Sequence, residues 1–305
     1  MSTVFLFGGQ GSQTPGMGDE LRESSAVARA VFEEAGAAVD FPLLERMSKG
    51  PADALRRTEV AQPALLTITV AHARELIARG ITPDYAMGHS LGQYGALVIA
   101  GALDFADGLR LVSERGRLMQ AAVPEGEGAM FAIVGVDRDE VVNACQTAAT
   151  HGIVEIACHN TEGQTAISGT PAAVEAAADA LEEEGAGVVP LEVSAPFHCS
   201  LLAPIRDDFR RCLEAVPFRA PELPVIDNVS ARPLESADAV RDALLEQVTA
   251  PVLFEESLCW LAERGDVDRA IQCGPGKQLL GFARRILREA RGETFDEVAS
   301  PTAAA

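Results

Sequence analysis

Gly88-His89-Ser90-Leu91-Gly92 is the stretch of this chain whose residue types and spacing most directly suggest chemistry. Tyr85-Ala86-Met87 before it reads as a short buried strand, and residues 93–100 after it read as the start of a helix. A serine on so sharp a strand-to-helix turn is pushed out of the backbone, and flanking glycines leave room that a side chain would block. Its hydroxyl then sits at a helix N-terminus, where unpaired N–H groups and the helix dipole stabilise an oxyanion on an attached acyl group. The pattern asks for acyl transfer through a covalent serine ester. A bare Gly-x-Ser-x-Gly is also an ordinary tight turn, so the rest of the chain has to supply a base.

Histidines stand at 72, 89, 151, 159 and 198. His72 falls in mid-helix, His89 is expected to point away from Ser90 as its immediate neighbour, and His151 and His159 lie in a segment that reads as an insertion. His198 follows Pro196-Phe197 where the chain returns to its larger part and a cleft wall would stand. A lone loop histidine is ordinarily a polar surface group, and position alone leaves both readings open. An α/β-hydrolase triad would run Ser, acid, His, with the histidine after the last strand, and that order fits poorly with the residues that follow His198. Near the start, the strand-like Val4-Phe5-Leu6-Phe7 leads into Gly8-Gly9-Gln10-Gly11-Ser12-Gln13. Thr14 stands where a dinucleotide loop needs its third glycine, and no helix follows at once. Such a loop can instead bring backbone N–H groups close to a reacting atom, so Gln10 or its neighbours could donate to the same oxyanion as Leu91. Gly276-Lys277-Gln278 only faintly echoes a phosphate loop, with no Ser or Thr after the lysine.

The elements that would position these residues alternate. Helical periodicity covers 18–38, then 63–80, where Gln62-Pro63 marks the start with proline in the first turn, then 104–122, which carries Arg110, Arg115 and Arg117. Strand and helix in turn imply a parallel sheet covered on both faces. The pattern changes near Val123-Pro124-Glu125-Gly126. Strand 129–136, helix 139–151, strands 154–158 and 164–168, helix 171–184 and strand 188–193 follow, the βαββαβ order of a ferredoxin-like unit. The chain crosses back at Ser194 to Cys199 and continues as helix 202–215, strand 224–227, helices 237–245 and 254–264, strand 269–272 and a last helix to about Arg291. Residues after Gly292 are expected to be a loose tail. The fold class is therefore α/β: a parallel-sheet, α/β-hydrolase-like large domain of residues 1–125 and 196–305, with an inserted ferredoxin-like subdomain of residues 126–195 and a cleft at their junction.

Composition narrows the function classes. With 305 residues and 48% hydrophobic content, the chain can bury a large core and an additional smaller one. A formal net charge of -20 argues against nucleic acid or an anionic membrane surface as partner. The first residues carry no basic region or cleavage pattern, and no apolar run is long enough to span a bilayer, so a cytoplasmic location is expected. Cysteines at 145, 158, 199, 212, 259 and 273 lack Cys-x-x-Cys spacing and suggest neither a metal site nor a disulfide framework. Arginine clusters at 56–57, 206–211 and 284–291 read by default as helical surface charge.

Taken together, the motifs resemble the malonyl-CoA:acyl carrier protein transacylases, including the free-standing acyltransferases that serve polyketide synthases. The likeness runs from Phe7 to about Ile286 through Gly9-Gln10-Gly11-Ser12-Gln13, Gln62-Pro63-Ala64, Gly88 to Gly92, Arg115-Gly116, Asn160 with Gly163-Gln164, Pro196-Phe197-His198, Pro251-Val252 and Gly274-Pro275-Gly276. It implies Ser90 as nucleophile, His198 as base, the backbone N–H groups of Gln10 and Leu91 as oxyanion hole, and a backbone carbonyl near Gln247, rather than a carboxylate, orienting His198. Arg115 would pair with the malonyl carboxylate, Gln62 and Asn160 would line the pocket, and Phe197 would keep it tight around an unbranched acyl group. The implied course is ping-pong, from acyl-CoA to Ser90 to the phosphopantetheine thiol of an acyl carrier protein, with no metal or prosthetic group and with a monomer expected. Gly8 stands where the family usually has proline and Gln93 where it usually has glutamate, which bears on subfamily more than on activity. Two further readings stay open: an enzyme moving a different acyl group between carrier proteins, and a non-catalytic carrier-docking protein, against which the presence of Ser90, His198 and Arg115 together argues.

Overall fold

The computed structural model describes residues 2–124, 126–191, 193 and 195–300. Among these the strands are β1 (Ser2–Phe7), β2 (Tyr85–Gly88), β3 (Ala129–Val134), β4 (Val154–Thr161), β5 (Gln164–Gly169), β6 (Gly187–Pro190), β7 (Val225–Ile226), β8 (Val252–Leu253), β9 (Val267–Cys273) and β10 (Arg291–Thr294). One sheet has the order β10-β9-β1-β2-β7 with every neighbouring pair parallel. Its central strand β1 is apolar and buried from Val4 to Phe7, as a strand covered by helices on both faces must be. The second sheet has the order β6-β3-β5-β4-β8. Its first four strands are antiparallel in the ferredoxin-like arrangement, and the helices Arg138–Ala148 and Pro171–Glu183 close a small core around Ile133, Ile167, Val174 and Leu181. The fifth strand, β8, comes from beyond the insertion and joins β4 in parallel through Cys158–Val252 and His159–Leu253. Strand pairing therefore ties the smaller sheet to the larger part of the chain beside the cleft. No helix among the described residues is long and apolar enough to cross a membrane.

Several local expectations are corrected. The helix expected from Pro63 spans Thr58–Ala78, with Pro63 inside it. Proline there forfeits one intrahelical bond. Burial of Val60, Ala61, Leu65 and Leu66 in the core outweighs that loss. The periodic stretch 18–38 is two helices, Asp19–Ser24 and Ala26–Ala38, because Ser25 leaves helical geometry and caps the second through the Ala28 N–H. The last long helix ends at Ile286, and the segment expected to be a loose tail is structured up to Ser300. β10 fills the free edge of β9 in parallel, and a capping box between Thr294 and Glu297 starts the helix Phe295–Ala299. Phe295 is buried and stacks on His72 with ring centroids 3.8 Å apart. The expected junction at Glu125 and the start of the return crossing at Ser194 lie outside the described residues, as does Glu192 of the strand expected over 188–193.

Because the C-terminal segment packs as core, Phe295→Ala should destabilise the protein by about 3 kcal/mol, the scale of removing a buried aromatic side chain. Urea unfolding at equilibrium measures this. A variant as stable as the parent would return the segment to a tail.

Candidate active site

β2 ends at Gly88, the chain turns through His89-Ser90-Leu91, and the helix Gly92–Ile99 begins. Ser90 has φ +52°, a left-handed conformation costly for a residue with a side chain. The glycines around it are required by contact: a Cβ at Gly88 would lie 2.0 Å from the Gly92 carbonyl carbon, and one at Gly92 would lie 2.0 Å from the Phe7 oxygen. Asn228, which follows β7, staples the turn. Its Oδ1 accepts from the Ser90 N–H at 2.7 Å, and its Nδ2 donates to the Gly88 carbonyl at 2.7 Å.

The return crossing brings His198 to this turn. Its Nε2 lies 2.7 Å from Ser90 Oγ and its Nδ1 lies 2.8 Å from the Gln247 backbone carbonyl. A carbonyl can only accept, so Nδ1 carries the proton and Nε2 is left as the acceptor for the serine hydroxyl. Both ring nitrogens are thus occupied without a carboxylate. The residue is 3% exposed. Burial, followed by the Arg115 charge, holds its pKa down to about 3 against the opposing pull of the Gln247 carbonyl, so the ring is neutral and competent as a base.

Arg115 projects from the helix Phe105–Ala122 and is 2% exposed. Its Nη2 donates to Ser90 Oγ at 3.2 Å and to Gln247 Oε1 at 3.0 Å, and its guanidinium carbon lies 5.5 Å from the centre of the Tyr94 ring. Burial pulls its pKa below the ordinary guanidinium value, yet arginine keeps its charge in proteins. No carboxylate lies within ion-pair distance of it among the described residues. Its helix neighbours differ: Arg110 pairs with Asp107 and Arg117 with Glu114 at the surface.

These groups face a cavity of about 520 Å³ between the two sheets, walled on one side by Met130, Ala132 and Ala166 of the smaller sheet. Gln10, Gln62, Leu91, Asn160 and Phe197 all line it. The backbone N–H groups of Gln10 and Leu91 have no acceptor among the described residues, which leaves both available to an oxygen in the cavity. Gln62 is buried with its Oε1 unpartnered and its Nε2 3.8 Å from Met119 Sδ. Asn160 Oδ1 lies 2.9 Å from His89 Nε2, so the His89 ring makes its hydrogen bond away from Ser90 while still lining the same cavity. The sequence reading missed Asn228, the His89–Asn160 contact and the side-chain contacts of Gln247, none of which has a local signature. No group of three or more His, Cys, Asp or Glu able to hold a metal occurs among the described residues. The arrangement can activate a serine hydroxyl, receive an oxyanion on two N–H groups and hold an anionic substituent against an unpaired cation.

Comparison with known proteins agrees with that chemistry. The acyl transferase domain family is matched over residues 4–290. The chain is 42% identical to the malonyl CoA-acyl carrier protein transacylase of Escherichia coli (strain K12), over 99% of this chain and 98% of that protein. A crystal structure of an acyl carrier protein S-malonyltransferase from Vibrio cholerae superposes with a TM-score of 0.94 at 39% identity, covering 100% of both chains. A malonyl-transacylase in complex with its type II PKS acyl-carrier protein superposes with a TM-score of 0.93 at 39% identity, covering 96% of both chains.

A histidine held neutral by burial and a neighbouring cation loses its function as base only when the pH falls toward the depressed pKa of about 3, well below the ordinary 6.5. The kcat/KM for acylation of Ser90 should therefore show no acid limb between about pH 8 and pH 5. A limb centred near the ordinary histidine value would contradict the assigned environment.

Proposed function

The chain belongs to the acyl transferase domain family, and on that premise we propose that it transfers a malonyl group from coenzyme A to the phosphopantetheine thiol of an acyl carrier protein through an ester on Ser90. One observation carries the choice of acyl group: the buried Arg115 cation has no anion of its own among the described residues and sits 3.2 Å from Ser90 Oγ. A malonyl carboxylate entering a closed cleft loses its water, and a guanidinium offsets that loss with two parallel hydrogen bonds. The relatives named for malonyl transfer, one of them in complex with a carrier protein, support the same donor and acceptor. That complex also makes a polyketide carrier a second reading beside a fatty-acid one.

In the loading half, His198 Nε2 takes the Ser90 proton as Oγ attacks the thioester carbonyl. The oxyanion forms against the Gln10 and Leu91 N–H groups. Its collapse breaks the carbon–sulfur bond, and the leaving thiolate of coenzyme A takes the proton from His198. In the second half the carrier thiol gives its proton to His198, its sulfur attacks the ester, and collapse returns the proton to Ser90. Exchange between the two thioesters, on coenzyme A and on the carrier, is nearly thermoneutral, so the protein has to exclude water and hold the ester until the second thiol arrives. Gln62, Asn160 and Phe197 shape the pocket, and the Gln247 carbonyl orients His198. The reaction needs no metal or prosthetic group. The reading further includes a ferredoxin-like subdomain of residues 126–195 set into a large domain of residues 1–125 and 196–305, a monomer, and a cytoplasmic place of work.

Incubation with malonyl-CoA alone should add one malonyl mass to the peptide containing Gly88 to Gly92, and Ser90→Ala should abolish it. Intact-protein and peptide mass spectrometry read both. A label that survives Ser90→Ala removes Ser90 as nucleophile.

A further inference from the structure

Gln247 is 0% exposed, and its side chain is committed at both ends. Its Nε2 donates toward the Ser90 carbonyl at 3.1 Å, Gln93 Oε1 at 2.9 Å and Asn228 Oδ1 at 3.1 Å, while its Oε1 accepts from Arg115 at 3.0 Å. We propose that the Gln247 side chain is a specificity-determining positioning residue: its amide oxygen fixes the Arg115 guanidinium beside Ser90, and Asp227, acting through Gln93, fixes which way that amide faces. The inference rests on the malonyl reading above.

The direction of the chain follows from which groups can only give and which can only take. Asp227 is 2% exposed. Its Oδ2 accepts from the Ser230 N–H at 2.7 Å and the Ser230 hydroxyl at 2.8 Å, and its Oδ1 accepts from Gln93 Nε2 at 3.0 Å. As a carboxylate it only accepts, so Gln93 must turn its NH2 toward it. The Gln93 oxygen then faces the Asn228 N–H at 3.0 Å and the Gln247 NH2. Asn228 acts in the same sense, since its NH2 is spent on the Gly88 carbonyl and its oxygen faces Gln247. Gln247 is left with one orientation, NH2 inward and oxygen toward Arg115. The reverse would set an NH2 against a guanidinium, two donors with no acceptor between them. A neutral amide is also the right holder electrically. A carboxylate in its place would neutralise Arg115 and compete with the substrate, whereas an amide oxygen fixes the cation and leaves its charge unspent.

The readout is the ratio of malonyl to acetyl kcat/KM, because a merely structural defect lowers both substrates together. Gln247→Met keeps chain length and the backbone carbonyl for His198 but removes the oxygen from Arg115. The ratio should fall on the order of tenfold, the scale of one hydrogen bond to a charged group. Parallel loss for both substrates, or no change, overturns the proposal. Should Gln247→Met not fold, two near-isosteric variants decide. In Asp227→Asn the Ser230 N–H claims the one remaining oxygen, so an NH2 faces Gln93 and the order of donors and acceptors breaks. The ratio should drop. Adding Gln93→Glu supplies acceptors on both arms and should restore it. An unmoved ratio in Asp227→Asn, or no recovery in the double variant, overturns the relay. Wild type showing no preference for malonyl would overturn the malonyl reading and the inference with it. Wild-type preference with unmoved variants overturns the inference alone.

Discussion

An arginine almost wholly removed from water, with no carboxylate beside it among the described residues, is the constraint on which this site is built. Burying a cation without an anion costs several kcal/mol unless neutral acceptors and a later ligand compensate. Arg115 has an amide oxygen, a serine hydroxyl and the face of an aromatic ring. These hold it without cancelling its charge. The same charge reaches His198, where it joins burial in keeping the imidazole neutral. One side chain therefore bears both on the charge of the pocket and on the protonation of His198.

The backbone around it is held under strain. Ser90 and His198, whose side chains meet, both have positive φ, +52° and +59°. Such residues cost of order 1–3 kcal/mol each and persist only where their surroundings over-determine them. Asn228 does this for Ser90 by gripping the turn from both sides, and the Gln247 carbonyl does it for His198 by accepting the hydrogen bond from Nδ1–H. His198 and Arg115, from two separate parts of the chain, thus meet at the Ser90 hydroxyl. The turn that carries Ser90, the loop that carries His198 and the helix that carries Arg115 share a single hydrogen-bonded centre at Gln247.

What was legible in the sequence was local. The strand-turn-helix around Ser90 could be read because the steric demand for Gly88 and Gly92 is met within five residues. The βαββαβ order of the smaller sheet could be read because its strands alternate at short range, but β8 could not, since its pairing with β4 joins residues far apart in sequence. The segment after Gly292, expected as a loose tail, is structured for the same reason: β10 exists only because the edge of β9 is there to receive it, although the Thr294 to Glu297 capping pattern is a local clue. Arg115 looks like Arg110 and Arg117 on the same helix, and only resemblance to a family set it apart. The Asp227–Gln93–Gln247 relay had no signature at all, because direction in a hydrogen-bond chain depends on which atoms meet after folding.

The claim that an unpaired buried cation selects the acyl group is tested most directly by Arg115→Ala, with kcat/KM measured for malonyl-CoA and acetyl-CoA in parallel. Malonyl transfer should fall by roughly 3–5 kcal/mol in transition-state stabilisation, the scale of stranding one partner of a buried pair. Acetyl transfer, which leaves no carboxylate unpaired, should change far less or improve. A malonyl to acetyl ratio equal to that of the wild type would contradict the account.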